Sequence, residues 1–414
     1  MEDVYYQYNP WWEGKPFDSG ILRQGYIDQI GSSFERKQID VIVGSRRVGK
    51  TTFLKQLIKK LLEGGVEAKS IFYLALDNPR IVKTPISEHL KEFRKIFMHS
   101  RDDKIYLCFD EIQDSPNWEA ELKSIYDSEN VKIVCTGSTS SLIKREVGKL
   151  TGRQIIMKIY PLTFKEYLIF KNNMPSKAED YKYEKLLGEY LETGGYPENV
   201  LKPSEEYMTN LIDDIIAKDI TRLHRINRPD ALKELLTILS DSVGTRTSFN
   251  KISKVLGITV DTVKEYIGYL EEAFLVKPLE KWSASRMDRI YSQKKIYLYD
   301  TGVKTVLTGK GDLGFKVENA VFLELSKQYA NMGYYAESEK ELDFVYGSVK
   351  APSALEVKYD SKIDWKDKRF AGIRLFTNRY AGVKELTIIS NSVSAKIKEG
   401  ALAINVIPAW KFLG

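Results

Sequence analysis

A parallel α/β sheet is predicted for the first 160 residues of this 414-residue chain, with three further domains after it. Three observations carry that expectation. Between residues 36 and 160, short β-rich runs alternate with amphipathic stretches, the pattern of a parallel sheet covered by helices. The run Val41-Ile42-Val43 leads directly into Gly44-Ser45-Arg46-Arg47-Val48-Gly49-Lys50-Thr51-Thr52, a strand–loop–helix signature. Beyond residue 286, after a long helical stretch, mixed strands and helices return.

The predicted strands of the first domain are 39–43, 70–74, 104–110, 131–136 and 154–160. Gly64-Gly65 ends the helix that follows the loop. Residues 161–235 lose the strand signal and read as helices punctuated by Pro161, Pro197 and Pro229. Residues 229–280 hold three helical segments, with turns at Gly244 and Gly257, and then the extended run Leu275-Val276-Lys277-Pro278-Leu279. That order is a winged helix-turn-helix pattern. The last stretch contains strand-like runs at 295–299, 342–345, 354–358 and 386–389. The expected domains are therefore 1–160, a phosphate-loop core; 161–228, a helical lid; 229–285, a winged helix-turn-helix; and 286–414, a separate α/β domain.

Composition fits a globular chain. Lys plus Arg number 63 against 57 Asp plus Glu, a surplus of six that permits an anionic partner without requiring one. Cys108 and Cys135 lie inside apolar runs, as expected of buried thiols in a reducing cytoplasm, and exclude a disulfide framework. His89, His99 and His224 lack metal-ligand spacing. No apolar run approaches the roughly 20 residues of a membrane span, so no membrane association and a cytoplasmic location are expected.

The loop at 44–52 fills every fixed position of G-x-x-x-x-G-K-T. Its glycines let successive N–H groups point at phosphate oxygens, and the helix starting at Lys50 turns its positive end to the same anion. Lys50 would reach the β and γ phosphates of ATP and Thr51 would ligate Mg²⁺. The second element is Ile105-Tyr106-Leu107-Cys108-Phe109-Asp110-Glu111, an apolar strand ending in two carboxylates. Asp110 would hold the Mg²⁺ water shell, and Glu111 would orient or deprotonate the attacking water. The strand Ile133-Val134-Cys135-Thr136-Gly137-Ser138 delivers hydroxyls to the same edge, making Ser138 or Thr136 the candidate γ-phosphate sensor unless both merely cap a helix. Arg153, before the fifth strand, is either an arginine finger, acting across a subunit boundary or in cis, or a surface arginine. Gly194-Gly195-Tyr196-Pro197 opens the lid, where Pro197 either packs against the nucleotide or forms a plain turn.

Together, the 44–52 loop, the 107–111 strand end, Thr136-Gly137-Ser138, Gly152-Arg153 and Gly195-x-Pro197 resemble the archaeal AAA+-related ATPases grouped with the STAND class. Asn9-Pro10-Trp11-Trp12, the stretch Pro161-Leu162-Thr163-Phe164-Lys165-Glu166-Tyr167 and Tyr299-Asp300-Thr301-Gly302 are similar to positions in that family. The resemblance implies a P-loop (ASCE/AAA+-like) core, a helical lid, a winged helix and a C-terminal domain related to PD-(D/E)XK nucleases. It implies ATP binding more firmly than any biological role.

Acidic residues in the last domain stand at nuclease-like spacing. Glu356 and Lys358 lie two apart on a strand and share a face; Asp343 precedes Glu356 on another strand, and Glu318 begins a helical stretch. Such a set either binds Mg²⁺, with Lys358 activating water, or forms ion pairs in a degenerate fold. The segment from Val357 to Lys384 carries eight Lys or Arg against three Asp, with Trp365, Phe370, Phe376 and Tyr380 interleaved as base-stacking or core residues. By contrast, the expected recognition helix, Asp261 to Ala273, sums to −3, which opposes insertion into a DNA groove. Nucleic acid binding is thus expected, if anywhere, at the C-terminal domain, and a homo-oligomer is an open expectation. Two function classes follow: an ATP-driven nucleic-acid enzyme with a nuclease effector, or an ATP-dependent switch or scaffold with an inactive nuclease-like domain.

Overall fold

Five runs rich in branched and aromatic side chains, Ile39–Val43 (β1), Ile71–Ala75 (β2), Ile105–Asp110 (β3), Val131–Gly137 (β4) and Gln154–Lys158 (β5), build one parallel sheet in the order β2-β3-β4-β1-β5. A parallel sheet is covered on both faces, so its strands read as apolar throughout; every residue of β1 and β4 is buried. The helices Lys50–Glu63 (α3), Ile86–Phe97 (α4) and Trp118–Ser128 (α5) supply the cover. The computed structural model describes all residues except 32–33, 139–149, 151, 177–178, 381, 384 and 401, and it divides into two compact units, residues 1–160 and 161–414.

Strand β2 is an edge, and an uncovered edge is an invitation to pair with another chain. The chain start closes it. After the helix Glu2–Tyr8 (α1), and ahead of the helix Gln24–Gly31 (α2), the buried Asn9 side chain accepts from the Tyr73 N–H (2.7 Å) and donates to the Tyr73 carbonyl (2.9 Å), as a neighbouring strand would. The indole N–H of Trp12 donates to the Ile71 carbonyl at 2.8 Å, and that of Trp11 to the same oxygen at 3.3 Å. The Asn9-Pro10-Trp11-Trp12 motif is therefore an edge seal.

The second unit opens with helices. Thr163 and Glu166 form a reciprocal capping box at the start of Phe164–Phe170, and Tyr181–Thr193, Pro197–Leu201 and Glu205–Asp214 follow. Residues 229–298 then run helix Pro229–Asp241, strand Arg246–Thr247 (β6), helices Phe249–Leu256 and Val260–Glu272, strand Val276–Leu279 (β7), the short helix Arg286–Tyr291 and strand Lys294–Leu298 (β8). The three strands form an antiparallel sheet ordered β6-β8-β7. Hence the 295–299 run, expected in the last domain, pairs instead with β7 and β6. After the helices Thr301–Thr308 and Leu313–Gln328 come Met332–Glu337 (β9), Lys340–Gly347 (β10), Pro352–Val357 (β11), helix Ala371–Arg379, Glu385–Ser390 (β12), Ala395–Glu399 (β13) and Leu402–Pro408 (β14). They form a mixed sheet ordered β13-β14-β12-β11-β10-β9.

Three motifs far apart in sequence meet in this unit. Asp300, buried at the start of Thr301–Thr308, accepts from the Gly302 N–H (2.9 Å) and, across 105 residues, from the Gly195 N–H (2.6 Å). Gly195 in turn accepts from the Leu162 N–H at 2.7 Å. Burial raises the Asp300 carboxyl to about 6 even though these N–H groups favour its ionised form. Gly194 sits at φ 78°, ψ −169°, and a Cβ there would lie 2.1 Å from Asp300 Oδ1.

Gly194→Ala should therefore destabilise the chain by at least about 2 kcal/mol in urea unfolding, through backbone strain and displacement of Asp300. Gly188→Ala, in the middle of Tyr181–Thr193 with nothing within 4 Å of its added Cβ, should be neutral or slightly stabilising. Equal effects of the two would contradict this role for Gly194.

Candidate functional site

The loop between β1 and α3 is shaped by contacts only glycine permits. A Cβ on Gly44 would lie 2.4 Å from the Ile159 carbonyl oxygen, and Gly49 holds φ 99° as the last residue before α3. Arg47 is also left-handed, at φ 60°. Alternation of this kind turns successive N–H groups toward one point, a nest for anions. Lys50 is buried, and its Nζ donates to the carbonyls of Gly44 and Ser45, each at 3.0 Å. The lysine thus folds back over the mouth of the loop it opens.

Because β4 lies between β1 and β3, the carboxyl end of β4 stands between the loop and the two carboxylates. Asp110 is the focus. One of its oxygens, Oδ2, accepts from the Thr51 hydroxyl (2.6 Å) and the Tyr73 hydroxyl (3.3 Å); the other, Oδ1, accepts from Thr136. Thr136 also accepts from the Glu111 N–H at 3.2 Å, fixing the step from β3 into the next turn. Burial raises the Asp110 carboxyl above the usual carboxylate range, against the Thr136 and Thr51 hydroxyls, which favour its ionised form. Glu111 occupies the left-handed region (φ 51°), and its Oε2 accepts from the Gln113 amide at 2.6 Å. Tyr73 and Gln113 stand outside the residues picked from sequence.

A Mg²⁺ ion fits this donor set: the Thr51 hydroxyl and the Asp110 carboxylate are hard oxygen ligands already in contact. Ser138 directly follows β4 at the same edge. Pro197 lies in the second unit, at the first turn of Pro197–Leu201, next to the buried Tyr196. Arg153 stands away from the phosphate loop. Its carbonyl accepts from the Ile39 N–H at 2.8 Å, and its guanidinium pairs with Asp127 at 3.1 Å. It is therefore at the amino edge of the sheet, about 16 Å from the phosphate loop along the five residues of β1. An action of Arg153 in cis on this loop is ruled out by that placement.

In the second unit, Glu318, Asp343, Glu356 and Lys358 do come together, but around a cation of the chain's own. Lys295 Nζ, on β8, lies 2.6 Å from Glu341 Oε1, 3.2 Å from Asp343 Oδ1 and 3.4 Å from Glu318 Oε1. Tyr297, two residues on and facing the same way, donates to Glu318 at 2.7 Å. Lys358 Nζ pairs with Glu356 at 2.5 Å. Asp343 also accepts from the Val357 N–H (2.9 Å), and Glu356 from the Asp343 N–H (3.1 Å), so the carboxylates tie β10 to β11. Among the described residues no three His, Cys, Asp or Glu side chains could hold a metal ion. The expected nuclease-like metal set of Glu318, Asp343 and Glu356 is corrected accordingly: an ammonium group stands among its oxygens, and the residues present do not fit a metal.

The buried cluster divides its charge unevenly. Burial, then the Asp343 charge, raises Glu318 to about 7 and Glu356 to about 8, whereas Lys295 and Lys358 hold Asp343 below the ordinary range. The three arginines of the basic segment are engaged within the chain. Arg369 pairs with Asp360 and Asp367, Arg379 with Glu337, and Arg374 donates to the carbonyls of Trp365 and Asp367. Trp365, Phe370 and Phe376 are core residues of the six-stranded sheet and offer no stacking face; Lys384 lies outside the described residues. Cys108 and Cys135 are buried free thiols, and burial pushes Cys108 up to about 12. No helix among the described residues is long and apolar enough to cross a membrane.

Comparison with known proteins agrees with the geometry of the first unit. Residues 36–168 match the family model of an AAA domain, and residues 184–313 match a domain of unknown function, DUF8612. An uncharacterized protein of Haemophilus influenzae is 29% identical over 336 residues, covering 78% of this chain and 83% of that protein. Two uncharacterized proteins of Methanocaldococcus jannaschii are similar too. One is 28% identical over 411 residues, covering 91% of this chain and 88% of its own length; the other is 27% identical over 358 residues, covering 80% and 74%. Over residues 36–168 the chain is thus similar to AAA domains.

Two outcomes follow from these geometries. Thr136→Val keeps shape but removes the hydroxyl shared by Asp110 and Glu111, so ATP turnover should fall about 10- to 100-fold with nucleotide affinity nearly kept; unchanged turnover would contradict the assignment. For Glu356, the folded carboxyl stays protonated to about pH 8, while the unfolded one ionises near 4.5. Its contribution is complete below pH 4.5 and lost as pH rises through 8. Urea unfolding of Glu356→Gln at pH 5 and pH 8.5 should show a smaller loss of stability between the two than the parent chain; an equal or larger loss would contradict it.

Proposed function

We propose that the chain is a Mg²⁺-dependent ATP hydrolase whose nucleotide state governs a second unit that binds a partner. The observation that carries this reading is the convergence of Thr51, Asp110 and Thr136 beside the glycine-shaped loop. In it, the loop N–H groups and Lys50 bind the phosphates of ATP, Lys50 exchanging two carbonyl partners for phosphate oxygens. Thr51 and Asp110 hold Mg²⁺, which neutralises phosphate charge and polarises the scissile bond when bound. Glu111 takes the proton of the attacking water; its carboxylate first exchanges the Gln113 amide for that water. Thr136 sets the angle between the two acids by holding one side chain and the other's N–H. Ser138, at the same edge, is placed to sense the γ-phosphate.

In the second unit, the order helix, strand, helix, helix, strand, helix, strand over residues 229–298 is read as a winged helix with a short helix inserted in its wing, and the helix Leu313–Gln328 followed by β9, β10, β11, a helix and β12 as a nuclease-like core. Lys295 among the carboxylates favours the reading in which this core binds without cutting. That is the switch or scaffold class of function.

Lys50→Ala should lose tight ATP binding, whereas Glu111→Gln should keep binding and lose turnover, because Lys50 acts in the ground state and Glu111 mainly in the transition state. Fluorescent-nucleotide titration and phosphate release measure the two. Full turnover by Glu111→Gln would remove that residue from the mechanism.

A further inference from the structure

Residues 18–23 run as a strap along α3 and end against the phosphate loop. Gln56, buried on α3, fastens the strap: its amide donates to the Ser19 and Ile21 carbonyls (3.1 and 2.7 Å) and accepts from the Arg23 N–H (3.3 Å). Gly20, at φ 62°, comes so close that a Cβ there would lie 2.7 Å from Thr52 Cγ2. The strap thereby delivers Arg23, which is 5% exposed, to the loop. One guanidinium nitrogen donates to the Tyr160 carbonyl (2.9 Å) and the other to the Val48 carbonyl (3.4 Å), while the guanidinium carbon stands 4.6 Å from the centre of the Tyr26 ring on α2. The Tyr26 hydroxyl in turn accepts from the Tyr160 N–H at 3.1 Å. Both ends of the loop therefore lean on the exit of β5: the Ile159 carbonyl packs on Gly44, and Tyr160 shares Arg23 with Val48.

We propose that Arg23 is a positioning residue for nucleotide phosphate, holding the Val48–Gly49 peptide so that the Gly49 N–H faces the anion. A peptide unit is planar and trans, so drawing the Val48 carbonyl toward the strap turns the Gly49 N–H the opposite way, into the hollow of the loop. The next plane is pinned as well. The Gly49 carbonyl accepts from the Phe53 N–H at 2.9 Å in the first turn of α3, so Gly49 is fixed on both sides at its φ of 99°. A cation on the Val48 carbonyl also polarises that peptide and makes its N–H a stronger donor. This role rests on the reading of residues 44–52 as the ATP site, and adds a residue that no phosphate-loop motif contains.

Two readouts on the full chain test it: nucleotide affinity by fluorescent-nucleotide titration, and the Gly49 amide proton resonance, selected by labelling valine with ¹³C and glycine with ¹⁵N. In Arg23→Met, affinity for ATP and ADP alike should fall about 10-fold, with turnover at saturating ATP reduced far less. At saturating ADP the Gly49 proton should move downfield in the parent chain, and by less than about half as much in Arg23→Met, because a misaligned N–H makes a weaker bond. A side chain that merely stabilised the fold would leave that shift intact. An unchanged shift or affinity in folded Arg23→Met therefore overturns the proposal. Lys50→Ala separates the two ways of failing: if it binds ATP like the parent, the ATP-site reading falls and takes this role with it. If it loses ATP while Arg23→Met does not, this role alone falls. Should Arg23→Met not fold, Arg23→Lys decides, since one ammonium cannot reproduce the guanidinium's fork on two carbonyls. A smaller Gly49 shift there supports the proposal, and affinity and shift equal to the parent's overturn it.

Discussion

The Asp110 carboxylate is the constraint on which the first unit depends. It is buried and accepts from three hydroxyls brought by three different elements: Thr51 from α3, Thr136 from β4 and Tyr73 from β2. A buried carboxylate costs too much unless its lone pairs are satisfied, so the strand order has chemical content. With β4 between β1 and β3, a hydroxyl at the end of β4 reaches both the acid and the N–H of the residue after it. The edge strand β2 must also stay in place for Tyr73 to reach Asp110, and Asn9, Trp11 and Trp12 hold it there. Neutral hydroxyls satisfy the acid without cancelling its charge, which leaves it ready for a cation.

The second unit solves the same problem with the opposite choice. Its acids are satisfied by ammonium groups and backbone N–H groups that the chain itself supplies. A third solution appears at Asp300, where backbone N–H groups alone serve the carboxylate and burial raises it to about 6. One site is left open to a metal, one is closed by lysine, and one is a structural clasp. Residue type does not separate the three; the partners do.

Much of the first unit is legible in the sequence because its signals are local. The 44–52 loop and the apolar strands declare themselves within a few residues, and the five strands lie within two residues of their expected bounds. The place of Arg153 also follows from sequence logic: in a parallel sheet, a residue preceding a strand lies at the amino edge, away from bound phosphate. Tyr73 and Gln113 carry no pattern, since single contacts to Asp110 and Glu111 depend on strand register and turn geometry. Gly194-Gly195 and Asp300 are each visible, yet their meaning lies in a hydrogen bond across 105 residues. Lys295 is hidden for a related reason. Its strand reads as part of the last domain, whereas β8 pairs with β6 and β7 and points its lysine at the last domain's acids. Trp365, Phe370 and Phe376 alternate with basic residues in sequence, but burial, not spacing, decides that they are core.

A crystal structure of the chain with a non-hydrolysable ATP analogue and Mg²⁺ tests the central claim most directly. The account predicts that Lys50 Nζ leaves the Gly44 and Ser45 carbonyls for the phosphates, and that the Thr51 oxygen turns from Asp110 to the metal. Thr136 should remain on Asp110 throughout. A nucleotide bound away from the 44–52 loop, or a Thr51 hydroxyl still donating to Asp110 with Mg²⁺ held elsewhere, would contradict it.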